Sequence, residues 1–407
     1  MDMNSTKNAF IRSHPGASAF LVLGVMAVNS PAISDDILQH PWTFEPGARL
    51  NLFYDDNVRL SVDDPEASLG GLAVIYGSLA KRTEKSNLEL RATVDSRYYD
   101  GSSELNTTDG ALDLVYGYRM SRVRFGLGSR FRYDSTLTSE DEADTTGLVQ
   151  ANKRRSSIEV TPSLGYDLSE RARVDAIYTF QDVSYEDAEN ILLSNFQNSR
   201  LGLNTEYDLS ERSHLLGQMS YEKYESEEVS ESSDSYGIQA GIRFQLSERT
   251  MLSALGGARF AEIRSNGTGQ SGTEDESSSG PLLEVDLDRR YERGGSLRVS
   301  VERSLLPSGR GSLLDTTRAT VSVSSPITER LTSSLTARGV RNRNPGGEVN
   351  VNNRDYLFLS PALRWKLSES SWLDLSYQYR WQDRDVVNGI ADSNAVYFGY
   401  GYDWGRK

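Results

Sequence analysis

Residues 122–135 read RVRFGLGSRFRYDS: Val123, Phe125, Leu127, Phe131 and Tyr133 alternate with Arg122, Arg124, Arg130, Arg132 and Asp134. A guanidinium is a rigid fork of donors that grips carboxylates, sulfates and phosphates in bidentate fashion. A row of them is a candidate anion-contacting surface. The same register carried through the chain gives ten candidate solute contacts: Arg91, Arg97, Arg124, Arg130, Arg132, Arg243, Arg298, Arg318, Arg338 and Arg380. Acids share the row, among them Glu89, Asp95, Asp113, Glu159, Asp175, Glu206, Glu222, Glu284, Asp286, Asp288, Glu302 and Asp374. Cross-strand ion pairing accounts for about half or more of these charges, since opposite charges facing one another on neighbouring strands stabilise a sheet. On the inward register of the strands near 86–134 arginines outnumber their acidic partners, which predicts a cationic stripe there.

Catalytic chemistry is poorly served. The histidines are His14, His40 and His214, and none stands where a Ser-His pair would need it. Two-carboxylate chemistry would draw on Glu284, Asp286 and Asp288, but acids at period two read more simply as a polar face. There is no cysteine, no Cys/His metal constellation, and no phosphate-binding or dinucleotide fingerprint. We therefore expect no metal, no cofactor and no enzyme. A net charge of −14 argues against nucleic acid, which needs a basic footprint.

The elements that must position the arginine row follow from the rest of the chain. Lys7 and Arg12 precede the apolar run ASAFLVLGVMAV (17–28) and the small residues up to Ser34, the pattern of a secretory signal peptide. The expected division is a signal peptide over 1–34, a short periplasmic segment over 35–42 and one β domain over 43–407. No later run reaches the roughly twenty apolar residues of a membrane helix, so any membrane crossing is made by strands.

A phrase recurs about every forty residues, long enough for two strands and their connections: PSLGYDLSER (162–171), LGLNTEYDLSER (201–212), GIQAGIRFQLSER (237–249) and PALRWKLSES (361–370). Each is an alternating segment running into a short polar turn. Reading outward from these turns gives about eighteen segments of about ten to thirteen residues, the length of tilted membrane strands. Short turns alternate with long polar links such as 139–146, 225–234 and 265–280. Tyr118, Tyr166, Tyr207, Phe244 and Trp365 stand two residues before the turn Leu or Met, an aromatic girdle at one depth. The fold class expected is an all-β, transmembrane, up-and-down antiparallel barrel of about eighteen strands in the bacterial outer membrane. Pro162 and Pro361 fall inside strands, where a bulge would accommodate them. Tyr397, Gly399, Tyr402 and Trp404 resemble the C-terminal signal read by the barrel-assembly machinery, although the chain continues to Gly-Arg-Lys.

A barrel this wide holds water, so its polar face lines a lumen. The arginines stay hydrated there, and rings of Arg select anions in pores.

The chain resembles outer-membrane β-barrel proteins of the beta-barrel porin 2 type, found among exopolysaccharide secretion genes. FEPGARLNLFYDDNV (44–58) and the P-x-L-x-aromatic-x-L-S-E phrases carry the resemblance. It implies a surface barrel exporting a polysaccharide, with Asp55, Asp56 and Asn57 matching the family motif at the first outer loop. The motif reads as a turn cap more readily than a substrate contact. The implied partners are outer-membrane lipid and lipopolysaccharide, the assembly machinery, the polysaccharide substrate and periplasmic export proteins. The competing reading is a diffusion porin for small anionic or sugar nutrients. It predicts a long loop folded inward as a constriction, with 135–153 or 264–280 as candidates.

Overall fold

Each Leu-Ser-Glu phrase closes a tight turn through its hydroxyl. Ser169 Oγ accepts from the backbone N–H groups of Arg171 and Ala172 at 3.2 and 3.1 Å. Ser368 does the same for Ser370 and Ser371, and Thr328 for Arg330 and Leu331. A hydroxyl that satisfies the donors two and three residues on fixes a turn without glycine. That is the physical content of the repeat.

A computed structural model describes residues 42–139, 152–187, 193–226, 231–265, 274–309, 313–345, 353–385 and 387–404. The expected signal peptide and nearly all of the expected 35–42 segment lie outside these residues. The strands are β1 (Trp42–Asp55), β2 (Ser68–Arg82), β3 (Ser86–Tyr99), β4 (Thr107–Arg119), β5 (Val123–Ser135) and β6 (Arg154–Asp167). Then come β7 (Ala172–Tyr185), β8 (Phe196–Ser210), β9 (Ser213–Ser226), β10 (Glu231–Ser247), β11 (Thr250–Ser265) and β12 (Glu274–Arg290). The last are β13 (Ser296–Pro307), β14 (Leu313–Pro326), β15 (Leu331–Arg343), β16 (Arg354–Lys366), β17 (Ser371–Arg384) and β18 (Val387–Asp403), with a short α-helix, α1 (Thr136–Ser139), and a single 3-10 turn at Ser103–Leu105. Every strand pairs antiparallel with its sequence neighbours, and β1 pairs with both β2 and β18. The sheet therefore closes into an eighteen-stranded up-and-down barrel with no free edge to aggregate.

The outside of the wall is apolar. On β18, Val396, Phe398, Tyr400, Tyr402 and Trp404 are all exposed, as are Tyr236, Ile238, Ile242 and Phe244 on β10. Leu52 and Ile75 are each 67% exposed. A soluble monomer rarely shows contiguous apolar surface on this scale. Lipid covers it, and the protein sits in the bacterial outer membrane. No helix among the described residues is long and apolar enough to cross a membrane, and the crossing is made by strands.

The prolines behave otherwise than expected. Pairing of β6 with β7 runs Val160–Phe180 and resumes at Ser163–Ile177 in the same register, and β16–β17 runs Leu359–Tyr379 and resumes at Ala362–Ser376. There is no bulge at Pro162 or Pro361. The ladder simply lapses beside each proline, because proline has no N–H to donate. On their other sides Pro162 pairs with Leu127 and Pro361 with Leu335.

Candidate functional site

Strand alternation sends the polar row inward, where it forms a web of ion pairs. Arg91 lies 2.9 Å from Glu89, Arg97 3.9 Å from Asp95, and Arg130 and Arg132 3.1 and 3.4 Å from Asp113. Arg124 pairs with Asp167 and, at 3.1 Å, with Asp175. Arg243 lies 2.9 Å from Glu206, Arg298 2.8 Å from Asp288, Arg318 3.9 Å from Glu302 and Arg380 2.7 Å from Asp55. The cationic stripe expected over 86–134 is therefore corrected: each of its arginines meets a carboxylate, several on β4, β6 or β7. Arg130 and Arg132 share Asp113, and Arg124 takes Asp167 and Asp175, which register brings from β6 and β7, beyond the stretch counted. Arg338 is the exception among the ten candidates. It makes no ion pair or hydrogen bond among the described residues, and its Nε is buried without a partner.

The outer end of the lumen is filled from two sides. On one side, Phe53, Tyr99, Val340, Tyr356 and Ala391 project inward from β1, β3, β15, β16 and β18. Val58 and Leu60 from the 56–67 link, Leu105 and Leu137 of α1 pack onto them as a single buried cluster. Leu60 holds φ +47, a left-handed conformation a branched residue adopts only at a cost of about 1–2 kcal/mol. Burial of its side chain and a hydrogen bond from Gln382 Nε2 to its carbonyl, 2.8 Å, keep it there. The Asp55-Asp56-Asn57 motif anchors the same link. Arg380 Nη2 donates to Asp55 Oδ2 at 2.7 Å, Ser393 Oγ to Asp55 Oδ1 at 2.7 Å, and Asn57 Nδ2 to the carbonyl of Asp392 at 3.0 Å. Asp56 accepts from both nitrogens of Asn394. All three residues are spent on joining the first link to β17 and β18.

On the other side the wall itself bends in. β12 pairs with β11 along its length but with β13 only from Leu283 to Arg290. β13 continues to Pro307, paired only with β14, and β14 meets β15 only from Asp315. The tip of the β13–β14 hairpin has left both neighbours. Leu305, Leu306, Leu313 and Leu314 are all buried, although consecutive strand residues point to opposite faces, so both faces of the tip are covered by protein. Tyr224 Oη donates to the carbonyl of Ser308 at 3.2 Å, and the N–H of Ser194 to that of Gly309 at 2.6 Å. The tip thus reaches the wall built by β7, β8 and β9, where Val183, Tyr185, Phe196 and Tyr224 receive it. At its root Asp315 accepts from Arg259 at 2.7 Å and from the fork of Arg303 at 3.1 and 3.0 Å. Gly280 of β12 makes room for the Arg259 guanidinium, which a Cβ would meet at 3.0 Å.

The other predicted residues fall as follows. Tyr118, Tyr166, Tyr207, Phe244 and Trp365 lie on the outer face near the short turns, and the last four are well exposed. Of the C-terminal quartet, Tyr402 and Trp404 are outward, but Tyr397 packs against Phe53 and Gly399 faces Asn51 in the lumen. The outward row is Val396, Phe398, Tyr400, Tyr402 and Trp404. Of the constriction candidates, 140–151 and 266–273 lie outside the described residues, while Ser135–Ser139 fold inward. Glu206, Asp208 and His214 bring three ligand-type atoms together near a short turn, a grouping visible only through the β8–β9 register. Arg173 and Arg243 already neutralise Glu206 at 2.8 and 2.9 Å, so the group is an ion-pair cluster.

A family model described as "Protein of unknown function, DUF481" matches residues 146–358, more than half of the chain. No curated protein matches the sequence. Among solved structures, OccK2 (OpdF) of Pseudomonas aeruginosa in complex with glucuronate is similar at 13% identity and a TM-score of 0.45, over 89% of this chain and 98% of that one. OpdK of Pseudomonas aeruginosa with vanillate is similar at 11% identity and 0.45, over 89% and 99%. OccAB4 of Acinetobacter baumannii is similar at 10% and 0.45, over 89% and 98%. The match falls on DUF481 and not on the exopolysaccharide-associated group whose motifs the sequence resembles. The outer-membrane barrel that resemblance implied stands, without its tie to polysaccharide secretion.

Proposed function

The chain belongs to the DUF481 family, described as proteins of unknown function, and from that footing we propose that it is a diffusion porin passing small anionic or sugar solutes across the outer membrane. The observation that carries this reading is the pair of inward folds at the outer end of the lumen: the 56–67 link with α1 on one side, the β13–β14 tip on the other. A conduit for a polymer needs a continuous wide bore, and these folds take up that bore. A porin for small solutes needs a water-filled barrel with a local constriction, where side chains meet the solute closely enough to select it. The lumen below the folds supports free diffusion, because paired charges keep it hydrated and each pair in water contributes at most about 1 kcal/mol. Weak, exchangeable contacts of this kind let a solute leave as readily as it enters. No step of bond-making is part of this function.

The test joins purified protein in planar bilayers with a gene deletion. We expect discrete current steps that small organic acids and sugars modulate, and normal surface polysaccharide in the deletion strain. A silent bilayer, or loss of the surface polymer, would overturn the porin reading in favour of export.

A further inference from the structure

Resting on the porin reading, we infer that Arg338 is the solute-holding residue of this pore, and that its ligand is a small carboxylate carrying an aromatic ring. Nine of the ten candidate solute-contact arginines have a carboxylate within 4.0 Å. Arg338 has none among the described residues. The acids on its own stretch of wall are spoken for. Glu302 lies beside Arg318 at 3.9 Å and accepts from Ser304 at 2.9 Å. Asp374 holds Arg364 at 2.6 Å and Trp372 at 2.9 Å, and Asp55 holds Arg380. None of these three carboxylates is left to neutralise Arg338.

Its position suits a solute. On the lumen face Arg338 pairs with Thr320 on β14 and with Phe358 on β16. Val340, two residues further out on the same face, belongs to the buried cluster of the first inward fold, and Phe358 packs against that cluster. A solute passing the constriction meets Arg338 directly beneath it. Its Nε–H is buried without an acceptor, as are those of Arg97, Arg124 and Arg318; what sets Arg338 apart is that its Nη groups have no carboxylate among the described residues. A carboxylate gripped end-on by the two Nη groups supplies the missing charge. Phe358 then offers a ring beside the bound group, and aromatic pairs gain over simple burial. An aliphatic acid of the same charge lacks that second contact.

The experiment is a planar-bilayer titration with benzoate as probe and acetate as comparison, on wild type, Arg338→Gln, Arg338→Lys and Phe358→Ala. Reversal potentials in a potassium chloride gradient are read on the same channels. Arg330→Gln, on a turn outside the lumen, controls for a change of one unit of net charge. We expect wild type to hold benzoate more tightly than acetate, and Arg338→Gln to lose roughly tenfold in benzoate affinity together with part of its preference for chloride. Arg338→Lys keeps the chloride preference. Phe358→Ala keeps it too, but brings benzoate down to the level of acetate. An open Arg338→Gln channel with unchanged benzoate affinity and unchanged reversal potential would overturn the assignment while leaving the porin reading intact. Absence of current from wild type would instead sink the porin reading itself.

Discussion

Among single residues, Asp55 is the one on which most of the first inward fold depends. Its carboxylate is buried between Arg380, Ser393 and the N–H of Asn57. Asp55→Ala leaves the buried Arg380 guanidinium without its counter-charge, a loss of about 3–5 kcal/mol where such a pair is broken. We expect Asp55→Ala to lower the detergent-melting temperature more than Asp56→Ala, whose partner Asn394 is neutral; equal shifts would contradict the network. The aspartates and asparagine were legible as a turn motif, and Arg380 as a lumen arginine, but their pairing was not. Arg380 stands 325 positions away, and only barrel closure brings it near. Glu66 carries a pH dependence of the same fold. The Ser102 hydroxyl and the Arg59 guanidinium hold its carboxyl below the usual carboxylate range. A depressed folded-state pKa stabilises above the ordinary carboxylate value and is lost as pH falls through the depressed one. The link is therefore tied at neutral pH and loosens below about pH 4. Open-channel noise rising at pH 3, and already raised at pH 7 in Glu66→Gln, is the expected record; noise independent of both would contradict it.

Among the elements, the β13–β14 hairpin decides the bore. Tyr224 is fully buried under its tip and bonds Ser308. Removing such a side chain costs about 3–5 kcal/mol locally, so Tyr224→Ala should free the tip and raise single-channel conductance. Unchanged conductance in a folded variant would mean that the tip does not limit the pore. The strands themselves were legible to within a residue or two wherever lipid demands an apolar outer row, as at 154–167, 172–185 and 213–226. The sequence reading fell short at β10 and β12, which begin at Glu231 and Glu274, inside the links expected over 225–234 and 265–280. EDESSSG (274–280) has no apolar alternation, because strand ends that rise above the membrane face water on both sides. For the same reason the inward folds were legible only in part: 135–153 was named and Ser135–Ser139 fold inward, but nothing in the 56–67 link or the β13–β14 tip carries a periodicity that says which way it bends. Arg338 could be named as one of ten but not singled out, since pairing across strands depends on register.

For the whole molecule, closure and lipid-facing surface make the folded state resist detergent. Unheated protein should migrate as a compact species in dodecyl sulfate gels and shift on boiling; identical migration would count against a closed barrel. The central claim is a water-filled tube narrowed at one end, and solute influx into proteoliposomes measures it most directly. Reconstituted protein should admit monosaccharides and small organic anions rapidly, disaccharides more slowly and dextran not at all. Free passage of dextran, or vesicles no leakier than protein-free ones, would contradict it.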